Sequence, residues 1–361
     1  MSDLRDIVAG YILDLPPYPK GREWRGEEDL VRLSANENPL GPSPQAVAAI
    51  TKAVRAIHRY PDGAAAGLKE KLSRRLQVAP DSIILGNGSN EIFELVARTF
   101  VQTGDEVLLP SPTFAYYRIA VQAQGGRCIL VPLRDFKIDL AEMATKVSRK
   151  TKVIFLSNPN NPTGTIFTRS EFDHFLASLP SRVVVVVDEA YGEYVTAPDF
   201  PRLQEYQQGE GWIVTTKTFS KFYGLAGLRI GYGVARKELI GQLERVRQPF
   251  SVNLLAQTGA EAALEDEGHR EKTAHVNEEG KKYLCTALTR LGFSFVPSEA
   301  NFILVHVGPH ASRVLEGLMQ GGIVVRGMAG YGLKEYVRVT IGLPAENRGF
   351  IEALQQWERG S

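Results

Sequence analysis

The sequence predicts an α/β protein: a large domain on a mainly parallel sheet covered by helices on both faces, then a smaller α+β domain. Three observations carry this. Short, continuously apolar runs alternate with helical stretches between residues 83 and 187, the pattern of strands buried on both faces. Further along the chain, long helices and shorter strands replace that alternation. Polar loops rich in Gly, Asn and Ser follow several of the apolar runs, and the carboxyl edge of such a sheet is where ligands bind.

Residues 1–35 are polar and broken by Pro16-Pro17-Tyr18-Pro19, and read as an arm packed along the surface. Residues 36–250 are assigned to the large domain and 251–361 to the small one. Ser43 suits the cap of a helix that starts at Pro44. Leu68, Leu72 and Leu76 recur every fourth residue and mark one face of an amphipathic helix. Residues 83–85 are a strand, and the turn Gly86-Asn87-Gly88 leads into a helix whose first N–H groups suit an anion. Strands follow at 106–109, 128–131, 153–156 and 183–187, with helices at 116–124, 140–147 and 170–178. Later helices are expected at 236–247, 254–264, 270–291, 311–319 and 346–359, and strands at 301–307, 323–325 and 336–341.

Of the 361 residues, 43% are hydrophobic and 23% charged, as in an ordinary globular chain. A formal net charge of +1 leaves no electrostatic footprint for nucleic acid or an anionic membrane. The start Met1-Ser2-Asp3-Leu4-Arg5-Asp6 does not fit a signal peptide, and the apolar run at 183–187 is too short to span a bilayer. Cys128 and Cys285 form no C-x-x-C and read as small buried hydrophobes, which suits a reducing, cytoplasmic setting. His306 and His310 flank Gly308-Pro309 with no carboxylate or cysteine between them, so no metal site is expected.

The chemistry centres on residues 212–233. A β-branched run enters the hydroxyl-rich turn Thr218-Phe219-Ser220-Lys221, followed by Gly224, Gly227, Arg229 and a second apolar run. Lys221 therefore sits on a tight loop between two strands, where its amine can reach a cleft. Thr218, Ser220 and Arg229 supply two hydroxyls and a guanidinium suited to a phosphate dianion. An amine beside a phosphate site points to a cofactor bearing both an aldehyde and a phosphate, namely pyridoxal phosphate. For this stretch alone, a surface lysine among turn glycines is the plain alternative.

The run at 183–187 ends in Asp188-Glu189-Ala190-Tyr191. Such an ending also suits magnesium in a P-loop ATPase, but no G-x-x-x-x-G-K-[ST] occurs to cradle nucleotide phosphates. Asp188 suits a protonated pyridine nitrogen instead, and Tyr191 the phenolic oxygen of the ring. Residues 157–164 form an Asn/Pro turn at the same sheet edge. With Ser89-Asn90, Asp188 and the lysine loop, they define one cleft.

In order and spacing, Asn158-Pro159-Asn160-Asn161-Pro162-Thr163-Gly164, Asp188-Glu189-Ala190-Tyr191 and residues 220–229 (SKFYGLAGLR) resemble the fold-type I pyridoxal-phosphate aminotransferases. Within that group, residues 35–42 (ANENPLGP), Arg59-Tyr60-Pro61-Asp62-Gly63 and 337–342 (VRVTIG) resemble the histidinol-phosphate aminotransferase family. The resemblance implies that Lys221 carries the cofactor and moves the α-proton, with Asp188 on the pyridine nitrogen and Asn161 and Tyr191 on the ring oxygen. It implies that Ser89, Asn90, Thr218, Ser220 and Arg229 hold the phosphate and that Phe114 stacks on the ring, where many relatives carry Tyr or Trp. Tyr60 would reach the cofactor phosphate of a neighbouring subunit, making the active unit a homodimer with shared sites. Arg338 resembles the arginine that takes a substrate α-carboxylate, and would take the phosphate of histidinol phosphate, assisted by Asn36, Arg326 and Tyr18.

The reaction so implied moves an amino group from histidinol phosphate to 2-oxoglutarate in histidine biosynthesis, with no nucleic-acid or membrane partner. Aromatic amino-acid aminotransferases and threonine-phosphate decarboxylases share much of the pattern. Aminotransferase-like folds also serve as ligand-sensing modules of transcription regulators behind an N-terminal helix-turn-helix domain. About 35 residues precede Asn36 here, too few for such a domain.

Overall fold

In a computed structural model that describes residues 3–15, 30–209 and 211–360, the strands in chain order are β1 (Val31–Arg32), β2 (Ile83–Gly86), β3 (Glu106–Ser111), β4 (Arg127–Pro132), β5 (Thr151–Ser157), β6 (Val184–Asp188) and β7 (Trp212–Thr218). They continue as β8 (Gly231–Val234), β9 (Phe295–Val296), β10 (Phe302–His306), β11 (Ile323–Val324), β12 (Arg326–Gly327) and β13 (Tyr336–Thr340). Seven form the main sheet, in the order β2-β8-β7-β6-β5-β3-β4. From β4 to β7 every neighbour is parallel, and β8 runs antiparallel to both strands beside it, β7 and β2. The sheet is thus the mainly parallel one expected.

The valine run of β6 shows why a continuous apolar stretch becomes a central strand. Successive side chains point to opposite faces. Val184 and Val186 join a cluster with Ile92, Phe93 and Tyr117 from the helices Ser89–Phe100 and Tyr116–Gln122. Val185 and Val187 join Phe172, Phe175 and Leu140 from the helices Arg169–Ser178 and Leu140–Thr145. Both faces are covered, so both residue sets must be apolar.

A third cluster lies beside the lysine loop, where Ala46, Leu68, Leu72, Ala256 and Ala260 pack around Phe219 and Tyr223. It gathers the helices Pro44–Ala53, Ala66–Leu76 and Leu254–Glu265. Ser43 caps the first of these, accepting from the Ala46 N–H. The small antiparallel sheet has the order β12-β13-β10-β9. Its core contains Leu284 and Leu288 of the helix Glu267–Arg290, together with Val314, Leu318, Phe350 and Leu354. β1 pairs in parallel with β11, and Leu33 is buried in this same core.

Element ends depart from expectation by a few residues. The long helix begins at Glu267 rather than 270 because Asp266 caps it, accepting from the His269 N–H. Cys128 and Cys285 are free and half-buried, in separate clusters, rather than fully buried. Among the described residues no helix is long and apolar enough to cross a membrane, and no group of three His, Cys, Asp or Glu is placed to hold a metal ion.

Candidate active site

Register brings the site together. Ser157 of β5, Asp188 of β6 and Thr216 of β7 are lateral neighbours at the end of the parallel strands. Beyond Thr218 the chain turns back toward β8 through the lysine loop. Gly224 in that loop has φ +68°, and a Cβ there would lie 2.2 Å from the Gly41 carbonyl oxygen, so glycine is required. Asn38 Nδ2 donates to the Phe222 carbonyl at 2.8 Å, which ties the loop to the segment 36–41. Lys221 is half-buried, and its Nζ donates to the Ala35 carbonyl at 2.7 Å. Burial first, then the Arg338 charge, pulls this amine from 10.5 down to about 8; Arg229 adds to the effect and Glu37 opposes it.

An anion cradle lies beside the lysine. Arg229 adopts φ +57°, and its Nη1 donates to Ser220 Oγ at 3.3 Å and to the Ala226 carbonyl at 3.0 Å. The Ser220 N–H donates to Thr218 Oγ1 at 3.1 Å. The helix Ser89–Phe100 starts behind Gly88 with no side-chain cap. A Cβ on Gly88 would sit 2.7 Å from Arg229 Nη2, and one on Gly231 would sit 2.6 Å from the Ser89 backbone nitrogen. A helix N-terminus, a guanidinium and serine and threonine hydroxyls therefore share one small space, with Asn90 in the first helical turn.

Asp188 is buried, at 4% exposure. Its Oδ1 accepts from Thr216 Oγ1 and from the Ala190 N–H, each at 3.2 Å, and its Oδ2 accepts from the Tyr117 hydroxyl at 2.6 Å. Burial raises this carboxyl to about 6, against the pull of those three donors. Phe114, half-buried at the same end, meets the Tyr117 ring edge-on at 5.5 Å.

On the small-sheet side, buried Arg338 donates from Nη1 to Asn161 Oδ1 at 2.6 Å and from Nη2 to the Ser34 carbonyl at 2.8 Å. Its guanidinium lies over the Phe302 ring. Asn36 Nδ2 donates to the Tyr191 hydroxyl at 2.8 Å, and Thr340 Oγ1 donates to Asn36 Oδ1 at 3.2 Å. Burial pushes the Tyr191 phenol up to about 12, with Arg338 and Asn36 pulling it back. Arg326 is half-buried and stands opposite Arg338 in the β12–β13 ladder. Tyr60 stands apart from these groups: it is 82% exposed and stacks on Phe250 with ring centroids 4.8 Å apart. Tyr18 lies outside the described residues.

Residues 28–354 match the family model for aminotransferase class I and II. This chain is a class I and II aminotransferase. It is 46% identical to a histidinol-phosphate aminotransferase from Moorella thermoacetica over 96% of this chain and 91% of that one. Among solved structures, histidinol-phosphate aminotransferase from Sinorhizobium meliloti, in complex with pyridoxal-5'-phosphate, superposes with a TM-score of 0.90 at 27% identity, covering 98% of each chain. The L-threonine-O-3-phosphate decarboxylase of Porphyromonas gingivalis gives 0.81 at 26% identity, covering 91% of this chain and all of that one (100%).

The aminotransferase uses pyridoxal 5'-phosphate, and its residues fit that group. The cradle between Gly88, Ser89 and Arg229 suits a phosphate, an amine lowered to about 8 suits an aldehyde, and a buried carboxylate suits a pyridinium. Sequence reasoning missed Tyr117 and Thr216, which hold Asp188. Tyr117 stands three residues beyond Phe114, but its partner is 71 residues away, and no local pattern pairs them. Thr216 was legible only as an alternation partner of Thr218.

Proposed function

We propose that this aminotransferase transfers the amino group of L-histidinol phosphate to 2-oxoglutarate, a cytoplasmic step of L-histidine biosynthesis. The observation that carries the reading is the register partnership of Arg326 with Arg338. Side chains directly opposite in an antiparallel pair leave the same face of the sheet, with Cβ atoms about 5 Å apart. Two guanidiniums side by side suit a phosphate dianion, whereas one suffices for a carboxylate. The full-length similarity to histidinol-phosphate aminotransferases supports the same substrate.

When bound, pyridoxal phosphate supplies an aldehyde for the substrate amine and a ring that draws electrons from the α-carbon. This chain's residues do the rest. Lys221 Nζ, with its pKa near 8, is neutral in a useful fraction near neutral pH and can take and return the α-proton. Asp188 would partner the ring nitrogen, while Asn161 and Tyr191 would hold the ring oxygen. Phe114 would pack against the ring, and Ser89, Asn90, Thr218, Ser220 and Arg229 would hold the phosphate. Arg338, with Arg326, Asn36 and Tyr18, receives the substrate. Exposed Tyr60 serves the partner site of a homodimer, where an isolated chain leaves its ring in solvent.

Initial rates with histidinol phosphate, phenylalanine, tyrosine and threonine phosphate, each against 2-oxoglutarate, test the reading. Histidinol phosphate should give the highest kcat/KM. Arg326→Ala should raise its KM on the order of tenfold while leaving glutamate nearly unaffected. Equal losses on both substrates, or release of carbon dioxide from threonine phosphate, would contradict the assignment.

A further inference from the structure

Asp188 has more holding it than its place at the end of β6. Counting its acceptor sites shows how. A carboxylate offers about two lone-pair sites on each oxygen. Both sites on Oδ1 are taken, by Thr216 Oγ1 and the Ala190 N–H. Oδ2 has one site taken, by the Tyr117 hydroxyl at 2.6 Å, and one left for an incoming N–H donor. Tyr117 is fully buried, its ring stacked on Phe155 at 5.1 Å and 9° and set edge-on against Phe93 at 4.9 Å. Ser157 hydrogen-bonds the phenol as well. The ring is held on both sides, so packing in the main core fixes the position of its phenol oxygen, and Asp188 Oδ2 at 2.6 Å takes its hydrogen.

We propose that Tyr117 is a positioning residue: its phenol occupies one side of Asp188 Oδ2, so that the remaining lone pair is aimed at the cofactor's pyridine N–H. The inference rests on the reading that Asp188 partners the ring nitrogen. It assigns Tyr117 no contact with substrate.

The ionisable groups around Asp188 are Tyr117 from the helix Tyr116–Gln122, Lys217 from β7, Lys221 from the lysine loop, and Glu189 and Tyr191 from its own turn. Of these, Tyr117 is the one that donates a hydrogen bond directly to the carboxylate. A hydrogen bond to the charged form lowers a carboxyl pKa, so removing it should raise the titration midpoint of Asp188 above its value near 6. Hydrogen bonds to charged groups correspond to a rise of about one to two pH units.

The experiment has two readouts that do not depend on turnover. In the first, cofactor-free protein carrying 13C-labelled aspartate is titrated by NMR, with Asp188→Asn to assign the signal, and wild type is compared with Tyr117→Phe. That variant keeps the stacked ring and loses only the hydroxyl. In the second, dissociation constants are measured for pyridoxal phosphate and for its 1-deaza analogue, which has C–H in place of the ring nitrogen. The wild type should prefer pyridoxal phosphate, and Tyr117→Phe should lose on the order of tenfold of that preference along with the raised midpoint. A wild type without preference would sink the role given to Asp188, and the inference with it. A wild type that discriminates, beside a Tyr117→Phe protein with unchanged midpoint and unchanged preference, would overturn the role of Tyr117 alone.

Discussion

Replacing Arg338 by Gln and Glu37 by Gln should move the Lys221 amine in opposite directions in the cofactor-free protein. Burial is the largest cause of the depression, and these two neighbours then act with opposite signs: the guanidinium disfavours the ammonium and the carboxylate favours it. With a pKa near 8, roughly a tenth of Lys221 is neutral at pH 7, some 300-fold more than for a lysine at 10.5. A charge acting across a partly buried site is worth roughly one pH unit. Losing the arginine should therefore raise the amine to about 9 and cut its neutral fraction at pH 7 roughly tenfold. Losing the carboxylate should lower it to about 7 and raise that fraction roughly fivefold. Competitive acetylation at limiting acetic anhydride, read by peptide mass mapping with exposed Lys282 as the internal reference, measures both. Equal labelling in the two variants, or changes of the same sign, would refute the electrostatic roles given to Arg338 and Glu37.

Two further outcomes test the loop and the assembly. Gly224→Ala must place a Cβ 2.2 Å from the Gly41 oxygen at φ +68°, so it should destabilise the cofactor-free protein by roughly 2–4 kcal/mol; an unchanged Tm would show that the loop relaxes freely. Equal amounts of Lys221→Ala and Tyr60→Ala subunits, each impaired alone, should regain roughly a quarter of wild-type sites after subunit exchange, because half the dimers are mixed and each of those has one intact site. No recovery after verified exchange would mean that Tyr60 serves its own subunit.

Much of this was legible in the sequence because the relevant signals are local. The valine run of β6 must be covered on both sides, and the helical stretches that precede it in the chain do the covering. Lys221 announced itself through a loop whose hydroxyls, glycines and arginine lie within a dozen residues. What escaped was non-local or cooperative. β1 is a two-residue strand, too short for any periodicity, and it exists because β11, expected at 323–325, supplies its ladder. Tyr117 reads as one more core aromatic until the fold carries it to Asp188. Arg338 was expected at the substrate, yet its large effect on the Lys221 amine, ahead of Arg229, follows from packing alone.

One strand sets most of the chemistry. Thr216 and Thr218 of β7 point to the same face, two residues apart; the first donates to Asp188 and the second orders the turn to Ser220. Lys217 points the other way, and its half-buried amine lies 3.2 Å from Glu189 and 3.4 Å from Glu193. A buried pair of this kind gains little net stability, because removing the charges from water offsets their attraction. Its consequence is for register. A slip of β7 by one residue would turn Lys217 toward the Asp188 face and both threonines away from it, leaving buried Glu189 and half-buried Glu193 without their cation. The ion pair therefore penalises the one error that would dismantle the Asp188 clamp and the phosphate cradle together. The cleft is specified from both faces of β7, although the residues proposed to hold the ligand lie on one.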